Sequence, residues 1–415
     1  MKKMVITLFL SFIFIFPCAH AEVTSRRKAT VGTFGTASFL TLYDDFTLPQ
    51  RLSAYDEIWA QIKALMTGMD ELLSTSIQTS EIARFNQLKS GESMPISPLT
   101  AEVFQFALDM NQKTDGYFNP AVFPLVDLWG FSPHFLGNVS APAQPYDRAL
   151  KDGSRPAPDE AYIAAFLQLS DLSGIRLEGD AEHGYTLTKA TPSVWVNGEE
   201  YQAQIDLGGV AKGYAVDQIM AMLREAGYTS GLFSCGSSSI GFMQNASASA
   251  AEMGDSAFTL AIRSPRRTDS SADSFASLRV KDAMLSSSGD YENNYTVNGQ
   301  LCCHIINPFT GYPLNYAEGS VQKGICTITL LSGSAAEDDA LTTSLCLMGP
   351  MEALDYFNAH LKDRRIVMTL YRADCNNYEV VTNLSKDEIQ LTDFAYSLAC
   401  TVDESGNLIY TGAFF

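Results

Sequence analysis

The segment QIDLGGVAKGYAVDQIM, residues 204–220, constrains the fold most, because an apolar run meets a helical pattern across two glycines. After the glycines, apolar residues recur with the i, i+3, i+4, i+7 spacing of one buried helix face: Val216, Ile219, Met220 and Leu223. The pattern predicts a strand that ends at Asp206 and a helix over about 211–225. A chain with such a strand-to-helix corner belongs to the mixed α and β classes.

The corner itself places Gly208 and Gly209 just before Lys212. Glycine lets the backbone approach a ligand closely and tolerates positive φ. Free amides at the start of a helix attract anions, and the lysine adds a formal charge. The corner therefore suits a phosphate or a pyrophosphate, although it matches neither G-x-x-x-x-G-K-[ST] nor G-x-G-x-x-G. A tight turn beside a solvated lysine explains this segment equally well.

A second segment, GSAAEDDALTTSLCLMG (333–349), carries oxygen ligands at helical spacing. Ser334 and Glu337 have the spacing of a capping box, which predicts a helix from about Ala335. Asp339 and Thr343 then lie one turn apart on one face, and Mg²⁺ favours a few such oxygens together with substrate phosphates. Acidic residues near a helix start are also common without any metal.

Two further segments contain candidate catalytic and nucleotide-binding groups. In CCHIINPFTGYP (302–313), His304 precedes an Asn-Pro and a Thr-Gly turn, where it could accept a proton from an attacking hydroxyl. A packed, hydrogen-bonded histidine is the alternative. In SSSGDYENNY (286–295), hydroxyls, a glycine and Tyr291 could wrap a nucleotide or simply form turns.

Composition excludes some classes of function. The chain has 415 residues, of which 46% are hydrophobic and 18% charged, as in a globular protein. Its net charge of −19 argues against nucleic-acid binding, because a phosphate backbone requires a basic surface. A phosphorylated small ligand needs only a local positive site and stays compatible with this charge.

The N-terminus, MKKMVITLFLSFIFIFPCAHAE, has the layout of a secretory signal with an A-x-A cleavage site before Glu22. We expect a signal peptide over 1–21, a linker over 22–29 and one continuous α+β domain over 30–415. An uncleaved anchor is the alternative, and Pro17 before Cys18 fits a lipidation site poorly. Cleavage leaves an odd number of cysteines, so at least one thiol is unpaired or bonded between chains. Buried free thiols explain them best, because Cys302-Cys303-His304 lacks zinc-site spacing.

Periodicity places the remaining elements. Helical spacing predicts helices over 58–72, in TSEIARFNQ, over 103–110 and in DEAYIAAFLQLSDLSG. Alternation predicts strands within 31–45 and 229–243 and in GIRLEG, GYTLTKA and SVWVN. Residues 138–160 read as an exposed loop, and 245–256 and 264–274 as solvated insertions.

Taken together, eight segments in order resemble the ApbE family, the FAD:protein FMN transferases. They are FGTASFLTLY, SEIARFN, TDGYFNPAVFPLVDLWGF, IDLGGVAKGYAVD, GSSSIGFM, SSSGDYENNY, HIINPFTGYP and DDALTTSLCLMG. The resemblance covers about 32–349, and NLIYTGAFF looks like the last strand of the family. It implies a single α+β, T-fold-like domain with mixed or antiparallel sheets and flanking helices.

The resemblance also implies an activity. Members of the family bind FAD and Mg²⁺ and transfer the FMN half to a threonine, or sometimes serine, hydroxyl of a partner protein, releasing AMP. The partners are exported flavoproteins, including subunits of membrane redox pumps, with an acceptor sequence like D-G-x-[ST]-G-A-T, which this chain lacks. The chain is then expected to be exported, either periplasmic or membrane-associated on the outer face of the inner membrane. An FAD pyrophosphatase and a non-catalytic FAD-binding protein are the alternatives.

The resemblance implies three metal ligands: Asp339, Thr343 and the carbonyl of Gly209. It also implies that Lys212 faces the FAD phosphates, and that His304 is the catalytic base and Asp339 a second catalytic residue. The residues expected to line the flavin nucleotide are Phe34, Gly35, Phe118, Asn119, Asp206, Gly236, Ser237, Ser288, Tyr291 and Thr310. The chain departs from the family pattern at Asn307 and Asn119, where Asp is usual, at GSSS, which replaces Gly-Gly-Asn or Gly-Gly-Asp, and at FGT, which replaces MGT.

Overall fold

The helical periodicities of the sequence become nine α-helices in the computed structural model, which describes residues 23–131, 157–266, 274–297, 299–316, 323–372 and 377–413. These helices are α1 (Pro49–Leu73), α2 (Glu81–Gln87), α3 (Pro98–Lys113), α4 (Phe123–Leu128), α5 (Glu160–Leu169), α6 (Gly208–Glu225), α7 (Ala248–Met253), α8 (Ala335–Met348) and α9 (Pro350–His360). The predicted signal and most of the loop predicted over 138–160 lie outside the described residues. Within the described ranges, no helix is both long enough and apolar enough to traverse a bilayer.

The strands of the first half are β1 (Thr24–Val31), β2 (Ala37–Asp44), β3 (Ser93–Ile96), β4 (Ile175–Asp180), β5 (Gly184–Lys189), β6 (Val194–Val196), β7 (Glu199–Tyr201), β8 (Gly231–Cys235) and β9 (Ser239–Phe242). Those of the second half are β10 (Phe258–Arg263), β11 (Ser274–Val280), β12 (Ala283–Gly289), β13 (Asn294–Val297), β14 (Gln300–Cys303), β15 (Lys323–Ser332), β16 (Arg365–Arg372), β17 (Asn377–Thr382), β18 (Ile389–Leu391), β19 (Tyr396–Leu398), β20 (Cys400–Val402) and β21 (Leu408–Tyr410).

A nine-stranded sheet organises the molecule, in the order β1-β2-β8-β9-β12-β15-β16-β17-β19. Its pairings are antiparallel except for β17 with β19, which is parallel. Helices α6 and α8 pack on one face of this sheet, and the three-stranded sheet β10-β11-β18 packs on the other. The predicted α+β architecture with mixed sheets and flanking helices is confirmed.

Alternation along the central strands separates the two apolar layers. In β16, Ile366 and Met368 join the cluster under the helices, whereas Val367 points into the cluster shared with the small sheet. Successive strand residues point to opposite faces, so one apolar strand contributes to both layers. The buried stripe predicted for α6 is also confirmed, with Val216, Ile219, Met220 and Leu223 all buried.

Two local predictions were wrong. No strand enters Asp206, because both backbone polar groups of Ile205 are bound by the Asn86 side chain, at 2.8 and 2.9 Å, rather than by a neighbouring strand. Residues of the predicted 22–29 linker form β1, which pairs along its whole length with β2. The segment 245–256, predicted as a solvated insertion, is mostly exposed or half-buried and contains the short helix α7, capped by Ser247.

Candidate functional site

The predicted site residues meet at a cavity of about 980 Å³ beside the start of α6 and the first turns of α8. Those that line it are Phe34, Gly35, Phe118, Asn119, Asp206, Gly209, Lys212, Gly236, Ser237, Ser288, Tyr291, His304, Asp339 and Thr343. They come from segments far apart in sequence, which the nine-stranded sheet and the helices on it bring together. A cavity of this size matches the usual volume of a cofactor site.

Helix α6 begins three residues earlier than expected, so Gly208 and Gly209 belong to its first turn. The amide of Gly208 donates to Asp206 Oδ1 at 2.9 Å, and Lys212 Nζ donates to the carbonyl of Gly208 at 3.0 Å. Neither glycine has a positive φ. Gly209 is needed for a close approach instead, since a Cβ there would lie 3.0 Å from Phe118 Cε2. The Phe118 ring thus packs directly on the backbone of the corner.

Helices α6 and α8 touch through a third glycine. A Cβ on Gly213 would lie 2.3 Å from the carbonyl oxygen of Ala335, so only glycine allows this crossing. Asp217, one turn further along α6, accepts hydrogen bonds from Ala335 N at 2.7 Å, Ala336 N at 3.0 Å and Ser334 Oγ at 2.7 Å. This carboxylate caps the start of α8 and complements its dipole, which fixes α8 against α6.

The crossing presents Asp339 to the cavity next to the lysine. Asp339 is 4% exposed, its Oδ2 accepts from Gly213 N at 3.2 Å, and Lys212 Nζ lies 3.9 Å from the same oxygen. Burial raises the pKa of Asp339, while Lys212 and the Gly213 amide oppose the rise. The pKa of Asp206 is raised by burial too, against the Gly208 amide and Lys212. Two desolvated carboxylates sharing one lysine form a site that a further cation would stabilise.

The donor set around Asp339 fits a hard divalent cation. Thr343 Oγ1 lies one turn on, 3.3 Å from the carbonyl of Asp339 and 3.1 Å from Ser288 Oγ, and it lines the cavity together with the backbone of Gly209. Carboxylate, hydroxyl and carbonyl oxygens suit Mg²⁺, which keeps few protein ligands. Across the described ranges, no cluster of three or more His, Cys, Asp or Glu side chains could hold a metal ion.

His304 follows β14 and lines the cavity. Its Nδ1 is buried, and no group in the described part of the chain hydrogen-bonds to it. Burial, assisted by the positive charge of Lys212, lowers the pKa of His304 to about 4. The ring is therefore neutral at neutral pH, although backbone hydrogen bonds with Glu292 and Asn293 oppose the shift. A neutral imidazole has one unprotonated nitrogen, which can accept a proton.

The two asparagine departures have different structural consequences. Asn119 Oδ1 accepts from Ala121 N at 2.8 Å, and its Nδ2 donates to the carbonyl of Ser170 at 2.9 Å. An ionised aspartate could not make the second bond. Asn307 uses its Oδ1 to accept from two amides of its turn, as an aspartate would. Asn119 therefore gains a contact with the α5 end that Asp would lack, whereas Asn307 keeps an acceptor role.

Thr310 is the one predicted site residue that does not line the cavity. It is exposed in the turn after Pro308, and its hydroxyl accepts from the amide of Tyr312 at 3.3 Å. The turn is closed by Gly311 N, which donates back to the carbonyl of Asn307 at 2.8 Å. Its contact with the nucleotide stays a prediction, and in this structure the side chain bonds within its own turn.

Sequence reasoning missed two charged residues. Asp70 of α1 lines the cavity, its carboxylate accepts from the backbone amide of Phe34, and burial raises its pKa. Arg266, expected in a solvated insertion, is largely buried and binds both carboxylate oxygens of Asp290 at 2.6 Å. Asp290 precedes Tyr291, so this ion pair anchors the loop that forms part of the cavity wall. No local pattern marks either residue, because each depends on a partner distant in sequence.

Comparisons with known proteins agree with the motifs and with the architecture. A model of the ApbE family matches residues 34–368. The chain is 28% identical over 335 residues to the FAD:protein FMN transferase of Escherichia coli strain K12, covering 80% of this chain and 81% of that protein. It is 26% identical over 356 residues to the FAD:protein FMN transferase of Haemophilus influenzae, covering 86% and 90%.

Solved structures share the fold. The flavin transferase ApbE from Vibrio cholerae superposes with a TM-score of 0.64 at 23% identity, covering 85% of this chain and 97% of that one. The ApbE protein from Thermotoga maritima gives a TM-score of 0.63 at 20% identity, covering 85% and 98%. The likeness extends over nearly the whole of both solved chains.

Proposed function

The chain belongs to the ApbE family, and from this premise we propose that it is an FAD:protein FMN transferase that modifies a threonine or serine hydroxyl. The relatives that carry this activity in their names cover about four fifths or more of the chain. In the proposed reaction the acceptor oxygen bonds to the phosphorus on the FMN side of FAD. The bridging bond breaks, AMP leaves with the bridging oxygen, and FMN is held as a phosphoester.

One observation carries the proposal most directly. A group of hard oxygens, a lysine and a neutral histidine line the same cavity. Transfer from a diphosphate requires neutralisation of charge on the phosphate oxygens and a group that accepts the proton of the incoming hydroxyl. The site offers both functions and needs no protein nucleophile.

The residues then have separate tasks. Lys212 and the amides of the first α6 turn bind the diphosphate, while Asp339, Thr343 and the Gly209 carbonyl hold Mg²⁺. When bound, the cation neutralises charge that develops on the diphosphate. His304 takes the proton of the acceptor hydroxyl. Phe118 and Tyr291 offer flat surfaces for the nucleotide.

The cellular setting is part of the proposal. The signal-like N-terminus supports export, with the enzyme periplasmic or attached to the outer face of the inner membrane. Its acceptors are then exported flavoproteins with a sequence like D-G-x-[ST]-G-A-T, such as subunits of membrane redox pumps. Fusion of residues 1–30 to a reporter that is active only after export tests this setting, and a reporter retained in the cytoplasm would contradict it.

The reaction is tested by mass spectrometry. Purified protein is incubated with FAD, Mg²⁺ and a carrier protein that bears a D-G-x-T-G-A-T loop. We expect the carrier to gain the mass of one FMN less one water, and the gain to vanish with EDTA. A carrier whose modifiable threonine is replaced by alanine is the matched control. A carrier that stays unmodified under all conditions would contradict the proposal.

An FAD pyrophosphatase is the second candidate, because His304 could equally take a proton from water. Incubation of the protein with FAD and Mg²⁺ alone separates the two reactions. Release of FMN and AMP at the same rate with and without carrier, and no modified carrier, would assign hydrolysis. FAD held intact under both conditions would instead favour a binding protein.

A further inference from the structure

Two large apolar side chains are exposed on the described surface around Tyr117: Phe309 contacts its ring, and Met351 is next in sequence to Glu352, its hydrogen-bond partner. Phe309 is 55% exposed, and Met351 is 46% exposed. Tyr117 links them: its ring meets Phe309 edge-on with centroids 5.0 Å apart, and its hydroxyl donates to Glu352, the neighbour of Met351, at 3.0 Å. Tyr117 also lines the cavity. We name Phe309, Tyr117, Met351 and Glu352 the aromatic rim.

The rim is held in place before any partner arrives. Asn307 Oδ1 accepts from the amides of Phe309 at 2.9 Å and Thr310 at 3.2 Å, which fixes the turn. The Phe309 ring packs over Gly116, where φ is +87° and a Cβ would lie 3.3 Å from the ring. An exposed aromatic residue on a fixed backbone needs little further ordering to bind.

The rim is continuous with the catalytic segment. His304, Ile305, Ile306 and Pro308 all line the cavity, and Phe309 is the next residue at the surface. Phe309 is five positions after His304, so their Cα atoms lie at most about 18 Å apart even in an extended chain. A protein whose hydroxyl reaches His304 therefore has its flanking residues within reach of Phe309.

The chemistry of the rim favours apolar contact over charge pairing. The Tyr117 hydroxyl lies 3.0 Å from both carboxylate oxygens of Glu352, so these polar groups already have partners. The aromatic and thioether surfaces of Phe309 and Met351 are left for a partner. Exposed aromatic anchors of this kind often carry most of the energy of a protein interface.

We propose that the aromatic rim is the docking site for the acceptor protein and binds uncharged residues that flank the modified hydroxyl. The proposal rests on the transferase function and adds the surface that recognises its protein substrate. FAD stays on the cavity side, bound by groups other than Phe309. The rim then determines the KM for the acceptor and leaves the KM for FAD unaffected.

The test uses the full protein with FAD, Mg²⁺ and the carrier protein bearing the D-G-x-T-G-A-T loop. Phe309→Ala and Met351→Ala are compared with Phe394→Ala, whose ring is 104% exposed and does not line the cavity. We expect Phe309→Ala to raise the KM for the carrier roughly tenfold. Met351→Ala should act in the same direction, and Phe394→Ala should leave the carrier KM unchanged.

Two further readings complete the test. The KM for FAD and the affinity for FAD measured by titration without carrier should both be unchanged in Phe309→Ala. A raised KM for FAD would overturn the proposal by placing Phe309 in the nucleotide site, and an unchanged carrier KM would overturn it directly. If the unaltered protein transferred no FMN to the carrier, that result would contradict the proposed transferase function, and the rim proposal, which rests on it, would fail too.

Discussion

The cavity has two walls that are built differently. The helical wall, residues 208–213 and 335–343, consists of two helix starts joined by Gly213 and Asp217, and it carries Lys212 and Asp339. The loop wall, residues 287–293 and 304–308, lies at strand ends and presents hydroxyls and the neutral His304. Its support is a buried ion pair, Arg266 with Asp290, rather than helix contacts.

The two walls suit different parts of the proposed reaction: the helical wall suits binding of the diphosphate and the cation, and the loop wall suits proton transfer. Helix starts offer aligned amides and fixed charges, which suit a diphosphate and a cation. A desolvated strand end suits a group that must stay neutral until it accepts a proton. Changes in the helical wall should therefore abolish the charge-dependent step, whereas changes in the loop wall should affect proton transfer or the position of that wall.

The largest effect is expected from Asp339→Ala in the helical wall. Loss of the buried carboxylate removes the proposed cation ligand, and Mg²⁺-dependent transfer should fall by roughly three orders of magnitude or more. Titration of transfer against Mg²⁺ measures it. Glu337→Gln, which removes one negative charge from the same helix outside the cavity lining, is the control. Transfer at the unaltered rate in Asp339→Ala would refute the ligand assignment.

In the loop wall, His304→Gln should slow transfer by about 10²–10⁴-fold, the usual contribution of a positioned base. FAD binding should weaken far less, because the diphosphate is held from the opposite wall. Single-turnover transfer and FAD titration measure the two effects. His183→Gln, at an exposed histidine, is the matched control. Equal losses in rate and affinity would reassign His304 to binding.

The support of the loop wall is tested by Arg266→Met. Asp290 is left buried without a cation, with only the Asn315 amide still donating to its carboxylate at 3.2 Å, so the free energy of unfolding should fall by about 3–5 kcal/mol. The double variant Arg266→Met/Asp290→Asn should regain part of that loss, because the buried charge is gone. Urea unfolding measures both variants. If Arg266→Met were as stable as the unaltered protein, the ion pair would not stabilise the loop wall.

The contacts that support the helical wall should contribute less to the free energy of unfolding than the Arg266–Asp290 ion pair. Asp217→Ala removes the acceptor for Ala335 N, Ala336 N and Ser334 Oγ, and should lower the free energy of unfolding by about 1–2 kcal/mol. It should also raise the Mg²⁺ concentration needed for transfer, because α8 carries Asp339. Ser247→Ala, which removes the cap of α7, should change stability alone. A Mg²⁺ requirement unchanged in Asp217→Ala would contradict the positioning role.

The smallest effect concerns pH. A base works when unprotonated, and burial and Lys212 lower the pKa of His304 to about 4. The acid limb that belongs to His304 should therefore reach half of its plateau near pH 4, not near the ordinary value of about 6.5. The pH–rate profile measures it, circular dichroism confirms folding, and His304→Gln should lose this limb. A midpoint near 6.5 would indicate a solvated ring.

Periodicity predicted most of the fold because local burial patterns reflect one face of each element. The stripe in α6 and the cap of α8 by Ser334 were both readable from the sequence. The strand expected before Asp206 was not formed, since Asn86 supplies the hydrogen bonds of Ile205 from 119 residues away. Arg266 was misjudged for the same reason, because its partner lies 24 residues ahead in another strand end.

The sequence by itself determined the family, the chemical types of the site residues and the spacing of Asp339 with Thr343, because motifs and helical turns are local. Only the tertiary structure decided that Gly213 joins two helices, that His304 Nδ1 is buried without a partner and that Phe309 stands exposed beside Tyr117. Burial and desolvation depend on segments distant in the chain, and no local pattern encodes them.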